Sequence, residues 1–186
     1  MDFSVTDHEQ ARRFEAMTAP HLDAAYNLAR WLARDPHDAE DVVQEAYLRA
    51  FRFFGGFRGG DSRAWLLAIV RNTFYSWLEK NRHHGRTVEY DEANAGLDLV
   101  EAAGEQALHG TDPQQLLLRA ADQRLVEQAL LRLPAEYREI LVLRELEDLS
   151  YKEIAEIAGV PLGTVMSRLS RARERLRQQL EAMEAK

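Results

Sequence analysis

The chain of 186 residues is 46% apolar and 30% charged, which is typical of one soluble globular domain or two small ones. It contains no cysteine, which excludes disulfide scaffolds, thiolate zinc sites and cysteine nucleophiles. No apolar run approaches the roughly 20 residues of a membrane span, and residues 1–10 are too acidic and polar for a signal peptide. We therefore expect a cytoplasmic protein.

The net charge of −7 is unevenly distributed. Residues 1–86 contain 12 acidic and 12 basic side chains, residues 87–120 contain 7 and 1, and residues 121–186 contain 12 and 11. The segment 87–115 has no Lys or Arg and includes three glycines. This pattern predicts an acidic flexible linker that would span roughly 95 Å when fully extended. The overall negative charge therefore does not exclude a nucleic-acid partner for the flanking segments.

Helical periodicity recurs throughout residues 1–86 without the alternation of a strand, which predicts an all-α domain. A first helix is expected over residues 6–34, with a break near Pro20. A second is expected over residues 38–54 and a third over residues 62–81, after an N-cap at Asp61 or Ser62. The inward face of the first helix is predicted to comprise Phe14, Leu22, Ala25, Tyr26, Ala29 and Leu32.

The second predicted helix carries a polar stripe beside its buried one. Asp41, Gln44, Glu45, Leu48 and Arg52 recur at helical spacing. The simplest interpretation of such a stripe is a solvated polar face. A leucine placed among acids, an amide and an arginine is also typical of a docking face for another helix.

The third predicted helix follows a glycine-rich loop and is unusually aromatic. Residues 53–60 lack the Gly-Lys-Ser/Thr ending of a phosphate loop, so nucleotide binding is rejected there. Trp77 is predicted to lie in the core. Arg71, Asn72 and Tyr75 share the opposite side, and aromatic rings interleaved with arginine are typical of surfaces that bind unstacked bases.

The C-terminal residues predict a helix-turn-helix. Asp112 and Pro113 begin a helix that Pro134 ends, and a second helix is expected over residues 135–146. Ser150 and Glu153 then form a capping box for a short helix. Gly159 closes that helix and Pro161 opens the next one. A short helix, a tight glycine turn and a second helix are the pattern of DNA-reading proteins.

The last predicted helix, from residue 162 to about 183, has a narrow apolar face and a basic one. Residues 161–177 contain five arginines and one acid. Opposite the apolar face lie Ser167, Ser170 and Arg171, and the flanks carry Arg168, Arg173 and Arg175. Short side chains at the centre and arginines on both flanks match base contacts at the centre and phosphate contacts at the rims.

Four segments together resemble the extracytoplasmic function (ECF) sigma factors of bacterial RNA polymerase. They are residues 38–51, 57–65 with 71–73, 133–146 and 149–176. The resemblance implies an all-α protein of two small helical domains: sigma domain two over residues 1–86 and the helix-turn-helix domain four over 116–186, joined by the acidic flexible linker 87–115. It also implies an alternative sigma factor that binds core RNA polymerase, recognises the −35 and −10 promoter elements and initiates transcription.

The resemblance assigns a role to each patterned surface. The stripe of Asp41, Gln44, Glu45, Leu48 and Arg52 would dock on the clamp helices of the polymerase β′ subunit, and domain four would meet the β flap. The −10 non-template strand would be held by Asn72 with Arg71, Tyr75, Arg58 and Asp61. The −35 element would be read by Ser167, Ser170 and Arg171, with Arg168, Arg173 and Arg175 on phosphates. An anti-sigma factor is a further expected partner.

Two departures from the family pattern concern which promoter is read. The loop over residues 57–65 is one residue shorter than in many members, and Met166 stands where many members have an arginine. Three rival functions fit the sequence less well. A stand-alone helix-turn-helix regulator has no use for the Asp41–Arg52 stripe, and a sigma mimic has no use for the basic helix. An enzyme is not expected, and neither is a metal or cofactor, because the six histidines lack ligand spacing.

Overall fold

The computed structural model describes residues 5–83 and 113–185, and within these ranges it is helical and contains no strand. Nothing in these ranges is both long and apolar enough to cross a membrane as a helix. The predicted linker lies outside the described residues as far as residue 112. The α-helices are α1 Val5–Thr18, α2 Leu22–Ala33, α3 Pro36–Phe53, α4 Ser62–His83, α5 Pro113–Leu131, α6 Ala135–Leu141, α7 Tyr151–Ala158 and α8 Leu162–Glu184.

The first predicted helix is divided at the expected proline. A single 3₁₀ turn, Ala19–His21, separates α1 from α2, because proline cannot donate the backbone hydrogen bond that a continuous helix needs. Phe14, Ala25, Ala29 and Leu32 are buried as predicted. The prediction for Leu22 is wrong: it is 37% exposed, since it is the first residue of α2 and lies at the edge of the core rather than over it.

α3 begins at Pro36, two residues earlier than the apolar pattern predicts. Asp35 is its N-cap, and the Asp35 carboxylate accepts hydrogen bonds from the backbone N–H groups of His37 at 2.8 Å and Asp38 at 3.1 Å. Along the inner face of α3 the buried residues are small: Ala39, Val42, Ala46 and Ala50. Small side chains at a helix contact permit the shorter interaxial distances of about 8 Å, so α3 packs closely on α2 and α4.

The C-terminal half forms the predicted helix-turn-helix. α7 and α8 are joined through Gly159, which has a left-handed φ of 65° that glycine adopts without steric cost. Val165, Leu169 and Ala172 of α8 are buried against α6 and α7. The predicted helix over residues 135–146 is continuous, but its hydrogen-bonding pattern changes along its length. α6 is followed directly by a π-helical turn, Val142–Leu146.

The two halves pack against each other. α4 contacts α7 and α2 contacts α6, and the buried apolar residues of both halves form one cluster. The sequence pattern predicts only that a flexible linker joins the two halves. In the structure they share an interface, and we call this the closed arrangement.

Candidate nucleic-acid and polymerase interfaces

The polar stripe of α3 is exposed along its length. Asp41, Gln44, Glu45 and Arg52 face solvent, and Leu48 is 54% exposed. Glu45 accepts a hydrogen bond from Arg49 Nε at 2.7 Å, and this bond lowers the pKa of the Glu45 carboxyl group. A solvated charged face does not require a half-exposed leucine at its centre. The geometry therefore favours a docking surface with an apolar centre and a charged rim.

The aromatic and basic side of α4 is only partly open. Asn72 is exposed, and its side-chain oxygen accepts a hydrogen bond from Arg71 Nη1 at 3.2 Å. Arg71 also lies over the ring of Tyr75, at 4.7 Å from the ring centroid. Arg71 and Tyr75 both donate hydrogen bonds to Glu139 of α6. Two of the three predicted base-binding side chains of α4 therefore lie in the interface between the two halves.

Glu139 is fully buried between the two halves. The Tyr75 hydroxyl donates to one of its carboxylate oxygens at 2.8 Å, and Arg71 Nε donates to the other. Burial raises the pKa of Glu139, against the opposing effect of the Arg71 guanidinium. Burial and the adjacent carboxylate also raise the pKa of Tyr75. The sequence pattern indicates no role for Glu139, because a charged residue in a helix is usually solvated.

The two residues of the loop before α4 that are predicted to contact DNA, Arg58 and Asp61, have different surroundings. Arg58 is exposed. Asp61 is the N-cap of α4, and its carboxylate accepts from the backbone N–H groups of Arg63 at 2.8 Å and Ala64 at 3.1 Å. A cleft of about 930 Å³ lies between this loop and α1. Its lining includes Gln10 and Arg13 of α1 beside Phe57 and Arg58, so α1 contributes polar groups here that the sequence pattern did not indicate.

The outer face of α8 presents the residues expected at base edges. Ser167, Ser170 and Arg171 are exposed, and Met166 is also exposed beside them. The Ser167 hydroxyl donates to the carbonyl of Thr164 at 3.1 Å. These side chains lie within the first three turns of α8, which is the part of a recognition helix that meets base edges in the major groove.

The arginines of α8 differ in their partners. Arg173 donates twice to Glu145, at 2.6 and 3.1 Å, and this bond raises the Arg173 pKa. Arg168 lies 3.5 Å from Glu136, and Arg175 lies over the ring of Tyr137, 4.8 Å from its centroid. Arg171 has no ion pair within the described ranges, 5–83 and 113–185. Arg132, Arg171 and Arg175 border one groove of about 690 Å³ with Ser170.

Each half of the chain matches a family model of known proteins. The family model for sigma-70 region 2 matches residues 17–84, and that for sigma-70 region 4 matches residues 123–176. The ECF RNA polymerase sigma factor SigE of Mycolicibacterium smegmatis is 36% identical over 170 residues, which are 90% of this chain and 61% of SigE. The ECF sigma factor SigW of Bacillus subtilis is 31% identical over 161 residues, 86% of this chain and 84% of SigW.

One solved structure is similar to this chain over most of its length. The sigma factor RpoE from Bartonella quintana, solved in complex with the anti-sigma factor NepR, superposes with a TM-score of 0.66 at 30% identity. The match covers 91% of this chain and 98% of RpoE.

The structure has two helical halves, and one of them is a helix-turn-helix whose second helix is rich in arginine. These features are typical of DNA-binding transcription factors. The matches to sigma-70 regions 2 and 4 and to SigE and SigW narrow this class, and the chain belongs to the ECF sigma factors of RNA polymerase. It directs RNA polymerase to specific promoters and initiates transcription there. Sigma factors are in general non-enzymatic initiation factors.

Proposed function

We propose that residues 1–86 form sigma domain two, residues 116–186 form domain four, and residues 87–115 link them. The exposed stripe of α3 binds the clamp helices of the core polymerase β′ subunit, with Leu48 at its centre. The stripe is supported as a protein-binding surface by the exposure of this leucine among charged and amide side chains. Its members are Asp41, Gln44, Glu45, Leu48 and Arg52.

Promoter recognition is divided between the two domains. In domain two, Asn72 with Arg71 and Tyr75 holds the unpaired non-template strand of the −10 element, and Arg58 and Asp61 shape the adjoining loop. A base of that strand flips out of the stack into a pocket. The exposed Asn72 and the stacked Arg71–Tyr75 pair support this role, since aromatic rings and guanidinium planes bind unstacked bases.

In domain four, Ser167, Ser170 and Arg171 contact base edges of the −35 element in the major groove. Arg168, Arg173 and Arg175 contact phosphates on either side. The exposure of all three central side chains supports the first assignment. The existing pairs of Arg168 and Arg173 with glutamates imply that each arginine must exchange a carboxylate for a phosphate when DNA binds.

Further partners and properties follow from the family. An anti-sigma factor is proposed, because the similar RpoE was solved with one. Domain four is proposed to contact the β flap, and the acidic linker to run through the basic channel of the polymerase. The cytoplasm is the proposed compartment, since the polymerase and the chromosome are there. No catalytic activity, metal or cofactor is proposed for the chain.

The observation that carries this proposal is that one chain presents both an exposed docking stripe on α3 and an exposed recognition face on α8. Run-off transcription with purified core polymerase on fragmented genomic DNA of the host tests it, with mapping of the 5′ ends. We expect starts that depend on this protein and share two spaced upstream elements. Duplex DNA binding without core binding would instead indicate a stand-alone helix-turn-helix regulator.

A matched pair of variants tests the α3 stripe in the same assay. Leu48→Asp places a charge at the centre of the stripe, and we expect it to reduce both core binding and run-off product by at least about tenfold, the effect of a loss of roughly 1.4 kcal/mol. Leu22→Asp is the control, because Leu22 is also an exposed leucine of the N-terminal half and lies outside the stripe. Equal activity of both variants would contradict docking through α3.

A further inference from the structure

The contact between α4 and α6 occupies the surface that is proposed to bind the −10 strand. Tyr75 Oη donates to Oε2 of Glu139 at 2.8 Å, and Arg71 Nε donates to Oε1. Both oxygens of one carboxylate therefore bind side chains of the other half. The Arg71 guanidinium also covers the Tyr75 ring, at 4.7 Å from the centroid.

The burial of these groups limits their access to any other ligand. The Glu139 side chain is 0% exposed and that of Arg71 is 18% exposed. A nucleotide that stacks on Tyr75 or pairs with Arg71 would need the space that Glu139 fills. Asn72, one residue from Arg71, remains exposed. In the closed arrangement the proposed surface is therefore incomplete.

Further polar contacts join the halves, among them a hydrogen bond from Asn27 Nδ2 of α2 to Glu147 at 3.5 Å. Arg63 of α4 forms an ion pair with Glu147, which follows the π-helical turn and is buried. Arg138 Nη2 donates to the carbonyl of Leu32 at the end of α2, at 3.2 Å. In each ion pair across the interface, Arg71–Glu139 and Arg63–Glu147, the base belongs to the N-terminal half and the acid to the C-terminal half.

The hydrogen bonds of the Glu139 carboxylate depend on the closed arrangement. Both described hydrogen-bond partners of its carboxylate, Arg71 and Tyr75, lie in the N-terminal half. A carboxylate buried without hydrogen bonds is strongly unfavourable. The closed arrangement satisfies Glu139, and the same arrangement withdraws Arg71 and Tyr75 from DNA.

We infer that Glu139 binds the −10 surface of this protein's own domain two in place of DNA, so that the closed protein is autoinhibited and promoter opening requires domain four to leave α4. This inference rests on the proposed role of Arg71, Asn72 and Tyr75. A DNA phosphate can replace the carboxylate as the anionic partner of Arg71. Opening in the presence of DNA therefore leaves Arg71 paired, while Glu139 becomes hydrated.

The first experiment measures domain separation in the full chain. The sequence has no cysteine, so Glu40→Cys on α3 and Lys152→Cys on α7, both exposed positions, accept spin labels at two defined sites. In this background Glu139→Ala removes the shared acceptor of Arg71 and Tyr75. Glu156→Ala is the control, since Glu156 is an exposed glutamate of α7. We expect a longer distance population with Glu139→Ala and an unchanged distribution with Glu156→Ala.

A second variant distinguishes loss of the closed arrangement from misfolding. Glu147→Ala removes the acid of the other ion pair without touching Arg71 or Tyr75, and we expect it to lengthen the distances in the same direction. Helical circular dichroism equal to that of the parent is required of every variant. Unchanged distances in both Glu139→Ala and Glu147→Ala at full helicity would overturn the inference.

The second experiment measures DNA binding by the same unlabelled variants. The probe is a fluorescein-labelled pool of random single-stranded DNA of roughly 12 nucleotides, the upper part of the usual single-strand site sizes. The apparent Kd scales inversely with the competent fraction, so a rise from about one tenth open to nearly all open gives roughly tenfold tighter binding. We expect this gain for Glu139→Ala and not for Glu156→Ala.

Failure of the inference and failure of the proposed function give different results. Separated domains without tighter binding overturn the inference. If Asn72→Ala and Arg71→Ala then still weaken binding in the Glu139→Ala background, the proposed −10 surface stands and only the masking by Glu139 is wrong. If neither weakens binding, the proposed surface itself is wrong and the inference falls with it.

Discussion

The arginines of α8 illustrate how a single side chain's partner determines what it can do. Arg173 already donates two hydrogen bonds to Glu145, and Arg168 lies beside Glu136. Arg171 is exposed and has no ion pair in the part of the chain that the structure describes. It can therefore reach a base edge without first losing a carboxylate. Among these three arginines, Arg171 is the one best prepared for sequence-specific contact.

Arg171→Ala should weaken binding to a duplex with the native −35 element by about 1 to 3 kcal/mol, the usual loss for an arginine that contacts a base. Binding to a scrambled element should change much less. Arg173→Ala is the control and should weaken both duplexes about equally, as a phosphate contact does. Fluorescence titration with a promoter mapped by run-off transcription measures both. An equal loss on both duplexes with Arg171→Ala would make Arg171 a phosphate contact.

Single residues were predictable where a local pattern determined their surroundings. The outward positions of Ser167, Ser170 and Arg171 follow from helical spacing against the buried Val165 and Leu169. Glu139 could not be assigned in this way. Its partner Arg71 is 68 residues away in the sequence, and periodicity carries no information about which distant helix covers a charged position.

The helix-turn-helix is held by reciprocal hydrogen bonds at the start of α7. The Glu153 backbone N–H donates to Ser150 Oγ at 3.3 Å, and the Ser150 backbone N–H donates to the Glu153 carboxylate at 2.7 Å. Two backbone donors that a helix start leaves unpaired are thereby satisfied. Because Ile154 and Ile157 pack α7 on its neighbours, this cap stabilises the support on which α8 is presented.

Ser150→Ala should lower the free energy of unfolding by about 1 kcal/mol, the typical cost of losing a serine N-cap. Urea denaturation of the full chain measures it. Ser76→Ala is the matched control: Ser76 lies inside α4, where its hydroxyl donates to the carbonyl of Asn72 at 2.9 Å. Alanine is the better helix former at an interior position, so this variant should be neutral or slightly stabilised. Equal destabilisation of both would contradict a capping role for Ser150.

Most elements could be predicted from such local signals, and the exceptions have physical causes. The capping box, Gly159 and Pro161 located α7 and α8 because these residues restrict the backbone directly. The π-helical turn Val142–Leu146 is not predictable in this way, since five residues are too few for periodicity to distinguish i→i+5 from i→i+4 hydrogen bonding. The turn has a consequence for the whole molecule: Glu147 follows it immediately and is buried against Arg63.

The closed arrangement of the whole molecule is specified by a few contacts rather than by overall charge. The segments 1–86 and 121–186 have nearly balanced charge, so little long-range attraction or repulsion acts between them. What joins them is local: two ion pairs, Arg138 on the Leu32 carbonyl, and a continuous apolar cluster. Removal of one partner from a buried ion pair typically costs about 3 to 5 kcal/mol. A single glutamate is therefore able to decide between closed and open forms.

Protonation of Glu139 links this equilibrium to pH. Burial raises its pKa in the closed protein, whereas an open protein would expose the carboxylate to water at its ordinary pKa. Between these two pKa values the closed form binds more protons than the open form, so rising pH favours opening and falling pH favours closure. The charged and titratable groups that act on Glu139 are Arg71 and Tyr75 of α4 and Arg168 of α8. Tyr75, with its raised pKa, stays neutral, which leaves Glu139 as the carboxyl group of this cluster whose charge changes with pH.

The doubly labelled chain should accordingly show a larger long-distance population as pH rises from about 5 to about 8, the range above the ordinary pKa of glutamate. Glu139→Ala should be open at every pH in this range and should lose the dependence, because the titrating carboxyl group is gone. Glu156→Ala should keep it, since that carboxylate is exposed in both forms. A dependence that persists in Glu139→Ala would assign the proton to another group, and one of opposite sign in the parent would mean that Arg71 outweighs burial at Glu139.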